Sequence, residues 1–363
     1  MSVKQGALPI QIIRELVKAG AVKGAVEQNI KPSSLDVSLT DEIYEVSGIF
    51  LPNKRETVEK VLEKVSKKRH SINEPLKVGS HYVAKLQEKL NLPELVYAFC
   101  NPKSTSGRVD VHVRLMADGV CRYDSIPHGY KGSLWVAITP KTFPIKVAPG
   151  LSLNQLRFFT HDTRLSNLEV EIALMGDKLL WSPKGKPYDR SDLKIWDNDG
   201  SLILTLDLDS DPIGYEGRPG EGVLDITRIG EYASSKFFKP IKKQGDSLVL
   251  KQGSFYILST HEFVRVPPNL ACEMVPMDER SGEFRSHYAG FIDPGWGWGV
   301  KGEGKGRPLT LEVRPFEDLV IRKGQPIGKI RFERLTDEAE EIYDTIQSNY
   351  LQQSGPKLAK YFK

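Results

Sequence analysis

Cysteine is scarce in this chain. Cys100, Cys121 and Cys272 are the only three among 363 residues, scattered and without a C-x-x-C spacing. That excludes a disulfide framework and a cysteine-built structural zinc site, and the expectation for all three is a small buried apolar side chain. Long apolar runs are also missing. No stretch approaches the roughly eighteen residues a membrane-crossing helix needs, and the N-terminus lacks a charged-then-apolar pattern, so a cytoplasmic protein without membrane contact is expected. Charge of one sign is lacking too: 51 Lys and Arg against 47 Asp and Glu leave a net +4. So small an excess gives no argument for nucleic acid and leaves anionic metabolites open as partners.

What is present is a repeat. Gly79-Ser80-His81-Tyr82 returns as Gly253-Ser254-Phe255-Tyr256, a shift of 174 residues. The same shift relates Pro93 to Pro267, Pro102 to Pro276, Gly150 to Gly324 and Arg157-Phe158 to Arg331-Phe332. A constant shift over so many anchors indicates duplication. Two domains are expected, 1–175 and 176–363. Short β-rich segments bounded by Gly, Pro, Asn and Asp predict a mainly β fold, among them Leu134 to Ile138, Leu248 to Leu250, Phe255 to Leu258 and Val320 to Ile321. Helices are few: Pro9 to Ala19, Thr57 to Lys68 and Asp337 to Ile346. Pro183 to Asp199 reads as a loop.

Glu312 lies in the apolar run Leu309-Thr310-Leu311-Glu312-Val313, soon after the turn-rich Gly290-Phe291-Ile292-Asp293-Pro294-Gly295-Trp296. A carboxylate on a buried strand is costly unless it is paired, neutral or working. In the first half, Lys103-Ser104-Thr105-Ser106-Gly107-Arg108 offers cations, hydroxyls and accessible backbone N–H groups, a combination suited to an anion.

Four stretches together resemble the deoxycytidine triphosphate deaminase family, which shares its fold with the trimeric dUTPases. They are Pro32-Ser33-Ser34-Leu35-Asp36-Val37-Ser38-Leu39, Lys103 to Arg108, Ala289 to Trp296 with Glu312, and the tail Ser348 to Gly355. The second is similar to the family's R-S-S-x-x-R motif with lysine in first place, and the third to its D-P-G-W hairpin and L-E strand. The length and His287-Tyr288-Ala289-Gly290 resemble the long, duplicated bacterial branch. The resemblance implies two tandem dUTPase-like β-barrel or β-prism domains, in a homo-oligomer with trimeric domain packing. It implies hydrolytic deamination of dCTP to dUTP and ammonia, supplying dUTP for thymidylate synthesis. Mg2+ would accompany the triphosphate without direct protein ligands. Zinc would play no part, since the H-x-E and P-C-x-x-C motifs of zinc deaminases are absent. Glu312, Ser104 and Arg108 would be catalytic. Lys103, Ser106, Gly107, Asp36, Ala289, Asp293, Trp296, Tyr350 and Gln353 would bind substrate, the last two from a tail that closes over the nucleotide.

The halves diverge in complementary ways. At a local shift of 175, a one-residue slip from the repeat, Ala137 of Leu134-Trp135-Val136-Ala137 stands where the second half has Glu312, and Asp278 of Pro276-Met277-Asp278 stands where the first has Ser104. A composite site is therefore expected, with Lys103, Ser104 and Arg108 facing Glu312. The alternative uses Arg280, Ser281 and Arg285 in a site wholly within the second domain. Rival activities are dUTP hydrolysis with Asp293 activating water, alone or combined with deamination, and nucleotide binding or a structural role without catalysis.

Overall fold

Alternating apolar residues in short segments, separated by glycine or proline, produce a mainly β molecule. The structure is a computed structural model describing residues 4–65, 67–220, 222–243, 245–288, 290–346 and 350–363. In the first half the long strand Ser34–Val46 pairs with Ser152–Thr160 through its beginning and with His81–Asn91 through its end. One strand thus serves both neighbours, and among the described residues this half forms a barrel-like sheet of eleven strands.

The second half repeats these pairings with that strand broken in two. Leu35 opposite Leu156 is matched by Leu202 opposite Ile330, and Tyr44 opposite Val83 by Tyr215 opposite Ile257. Ser201–Thr205 and Gly214–Gly217 are separate strands, so the sheet divides into six-stranded and four-stranded parts. Single hydrogen bonds repeat as well. Lys77 N–H donates to the Tyr82 hydroxyl, and Lys251 N–H to the Tyr256 hydroxyl, both at 2.9 Å.

Helices form at Ile10–Lys18 and Val58–Lys64 among the described residues. The second is shorter than the periodicity of Thr57 to Lys68 suggests, because Lys67–His70 pairs with Ile43–Val46 and is drawn into the sheet. A helix not anticipated, Asn167–Gly176, starts at a capping box in which Ser166 and Glu169 satisfy each other's backbone N–H groups. Its Val170, Ala173 and Leu174 enter the second core, so by packing the halves meet between Thr160 and Ser166. The helix expected over Asp337 to Ile346 does not form. That segment runs as turns, with Ala339 N–H on the Pro268 carbonyl and Tyr343 N–H on the Pro294 carbonyl. Docking to the body of the fold replaces helical bonding there. No described helix is long and apolar enough to cross a membrane. The burial expected of the cysteines is met for Cys100 and Cys272 but not for Cys121, which is exposed.

The halves are extensively joined. Phe237, Phe238, Phe255 and Ile257 lie in the core of the first half, as do Leu358, Ala359 and Tyr361 from the chain's end. Arg157, 1% exposed, pairs with Glu333 and lies 3.7 Å from Glu273, both of the second half. Its guanidinium also stacks 4.0 Å from the Phe291 ring. Arg157→Met would leave two carboxylates facing an uncharged side chain. Loss of one partner of a buried pair lowers stability by about 3–5 kcal/mol. Urea unfolding should show a loss of that size, and an unchanged midpoint would contradict this role.

Candidate active site

The sequence Pro102 to Arg108 folds as a single helical turn, Ser104–Gly107, hung from the sheet by backbone bonds. Lys103 N–H and the Ser106 hydroxyl both donate to the Leu153 carbonyl, at 2.8 and 3.0 Å. Ser106 is fully buried in doing so and acts as an anchor. Lys103, Ser104, Thr105 and Arg108 turn toward a cleft between the halves.

The opposite wall comes from the second half. It includes Met274, Gly290 to Asp293, Trp296, Leu309 and Thr310, with Tyr343 and Tyr350 from the tail. Thr310 and Glu312 lie two residues apart on the strand Arg307–Pro315 and project from the same face. Glu312 therefore sits one pleat behind the lining residue Thr310. It is 1% exposed and accepts a 3.0 Å hydrogen bond from Tyr288 N–H. Its carboxylate meets the anion turn at Gly107, where an added Cβ would lie 3.0 Å from the Glu312 Cδ. The missing side chain is what allows acid and turn to approach so closely.

One end of the cleft is cationic. Lys31, Lys103 and Lys360 line it, and Lys103 is paired with Asp36. Burial lowers the pKa of Lys360, with the charge on Lys103 acting the same way and Asp36 opposing both. Three cations around one carboxylate form a place for a polyanion. Elsewhere on the cleft wall the Trp296 ring packs 4.9 Å from Tyr343. Burial pushes the Asp293 carboxyl up to about 7, and the negative Asp36 adds to this, while Arg157 and the Ser33 N–H oppose it.

The tail lies across this cleft. Arg108 stacks 3.8 Å from the Tyr350 ring and donates to the Gln353 side chain at 3.2 Å and the Lys357 carbonyl at 2.9 Å. Gln353 in turn donates to the Pro308 carbonyl at 2.7 Å, on the strand that carries Glu312.

The structure therefore brings Asp36, Lys103, Ser104, Arg108, Asp293, Trp296 and Tyr350 to the cleft wall, with Gln353 holding Arg108. Ser106 and Gly107 lie behind that wall, and Ala289 is outside the described residues. The trio Arg280, Ser281 and Arg285 is not brought together. Arg280 and Ser281 line another cavity, where Arg280 pairs with Asp278 and Asp197, and Lys329 pairs with Asp197 and Asp199. Arg285 is bonded to the His287 carbonyl and stacks 4.7 Å from Tyr288. Sequence reasoning missed Lys31, Gln155, Thr310 and Tyr343 as lining residues. Lys31 and Thr310 carried a signal, the first standing directly before Pro32 to Asp36 and the second two residues before Glu312 on the same strand.

Register also places the two halves' strands in correspondence. Ala137 opposes Val83, and Glu312 opposes Ile257. The sister position thus has alanine for the acid and Asp278 for the serine, and its cations are already neutralised.

Comparison with known proteins identifies the family. A family model described as the 2'-deoxycytidine 5'-triphosphate deaminase (DCD) N-terminal domain matches residues 4–162, and the model for the C-terminal domain matches 188–362. A crystal structure of 2'-deoxycytidine 5'-triphosphate deaminase from Agrobacterium tumefaciens superposes with a TM-score of 0.83 at 33% identity. That match covers 93% of this chain and all of the other. The chain belongs to the dCTP deaminase family. Proteins named "dCTP deaminase, dUMP-forming" from Streptomyces coelicolor and Leifsonia xyli are 33% and 31% identical over 151 and 150 residues, each 40% of this chain. The matched parts span 69% and 65% of those relatives, about two thirds of their length.

Two outcomes follow for this member of the dCTP deaminase family. Gly107→Val would drive a branched side chain into Glu312, and catalytic turnover should fall at least tenfold while the protein stays folded; unchanged kcat would contradict the contact. Titration calorimetry should give one nucleotide bound per chain, whereas two would mean that the sister position is also a site.

Proposed function

We propose that this chain catalyses the hydrolytic deamination of dCTP at C4 of cytosine, releasing ammonia. Water adds to C4, the amino group leaves as ammonia, and a carbonyl remains. The observation that carries this reading is Glu312, held out of water against the anion turn of the other half. In that position Glu312 takes the proton from the attacking water and delivers one to the departing amine. Ser104 and Arg108 hold the water and stabilise the developing charge. Lys31, Lys103 and Lys360 receive the triphosphate. Asp36 and Asp293 are the carboxylates fit to meet, through water, the Mg2+ that travels with it, and that ion neutralises phosphate charge.

The immediate product in this reading is dUTP. A second reading, in which the phosphoanhydride is also cleaved and dUMP leaves, is favoured by the names of the Streptomyces and Leifsonia relatives. Purified protein with dCTP and magnesium should release ammonia, and chromatography of the nucleotide separates the two products. Glu312→Gln should abolish ammonia release while nucleotide still binds. Retained turnover in that variant would contradict the assignment.

Self-association belongs to the same reading. Leu168, Ile172 and Met175 lie at 65%, 56% and 59% exposure along Asn167–Gly176, where the matching helix of the first half shows Gln11, Glu15 and Lys18. Because the cleft is built from one chain, a homo-oligomer would assemble through such a face without completing the site. Sedimentation equilibrium should then give a mass above that of one chain.

A further inference from the structure

Asp110 follows Arg108 by two residues and Arg314 follows Glu312 by two. These four side chains belong to opposite halves, and the inner pair meets. Arg314 is ion-paired with Asp110, which is fully buried, and the Thr142 hydroxyl bonds the same carboxylate. Arg314 also donates to Thr142 at 3.0 Å and to the Gly253 carbonyl. Asp110 adopts a φ of 57°, in the left-handed region that aspartate tolerates better than most residues. Its N–H bonds the Gly107 carbonyl at 2.9 Å, so its backbone is part of the anion turn.

Tyr288 completes the connection. Its N–H is the donor to Glu312. Its ring is enclosed by His112, 4.4 Å away and edge-on, and by Phe255, stacked at 6.2 Å. The Asp110 and Arg314 charges act on its hydroxyl. A displaced Arg314 therefore reaches Glu312 along two routes, through the strand they share and through Tyr288.

We propose that Asp110 and Arg314 are a positioning pair that fixes the anion turn in register with the strand carrying Glu312. Neither residue lines the cleft. Their effect is on where Glu312 and Arg108 stand relative to each other, and a misplacement of about 1 Å between catalytic groups costs on the order of a hundredfold in rate. A pair serving stability alone would change the fraction folded and leave the turnover of each folded molecule intact.

This assignment rests on the deaminase reading, and the experiment separates the two. Ammonia release by wild type, Asp110→Asn, Arg314→Met and the double variant is measured per folded molecule, alongside KM for dCTP and unfolding midpoints. The milder Thr142→Val serves if the charge variants fail to fold. We expect kcat to fall ten- to a hundredfold in each single variant with KM within about twofold. The double variant should be no worse than the poorer single one, because both act through one contact. Thr142→Val should show a smaller fall of the same kind. Wild-type kcat in folded variants, or losses that multiply in the double variant, would overturn the pair's role. A wild-type chain that releases no ammonia would remove the deaminase reading and this assignment with it.

Discussion

A carboxylate taken out of water has to be held by donors, and the placement of Glu312 depends on both halves of the chain. The second half supplies its strand and the Tyr288 N–H. The first half supplies the turn that reaches it at Gly107. Two arginines cross the boundary in opposite directions, Arg157 to Glu333 and Arg314 to Asp110; Arg157 is buried, and Arg314, partly exposed itself, pairs with a fully buried Asp110. Buried pairs of this kind are poor sources of net stability, because desolvation offsets much of the Coulombic attraction. What they give here is registration. A shift of either half strands a charge in a low-dielectric interior, so the relative position of acid and anion turn is narrowly set.

Duplication explains why one chain suffices. Two similar domains in contact could in principle make two clefts, one in each order. The chain has kept the anion turn in one half and the acid in the other, and the residues left over have been put to other uses. Asp278 caps its own turn and binds Arg280, while Asp197 and Asp199 neutralise Lys329. A phosphate arriving there would meet three carboxylates. The chain's end follows the same logic: it leaves the second half, crosses the working cleft over Arg108 and buries Tyr361 in the first core.

Much of this was legible in the sequence, and the rest was hidden for identifiable reasons. Alternation, turn residues and the 174-residue shift indicated a mainly β chain with repeated pairings, and strand register matches Ala137 with Glu312 at a local shift of 175, one residue off that repeat. Motif-bearing residues such as Lys103, Arg108 and Asp293 were visible because several chemical groups cluster within a few positions. Asp110, Arg157 and Arg314 were not, since each is a single charge in an ordinary strand or turn, and the pairs Arg157–Glu333 and Arg314–Asp110 join residues 176 and 204 positions apart. The segment after Arg334 misled because its helical spacing of Ala339 and Ile342 serves docking onto Pro268 and Pro294 instead. The helix at Asn167 could have been found from Ser166 and Glu169, three apart ahead of an apolar run.

The central claim is that each working cleft is built inside one chain, with the turn and the acid contributed by its own two halves. Co-expression of a Ser104→Ala chain with a Glu312→Gln chain tests it most directly. Each variant alone lacks one side of the cleft, and mixing them gives an intact pair of sides only if clefts form between chains. The account predicts no ammonia from the mixture beyond that of the separate variants. Recovery of activity on mixing would contradict it and place the site between neighbouring molecules.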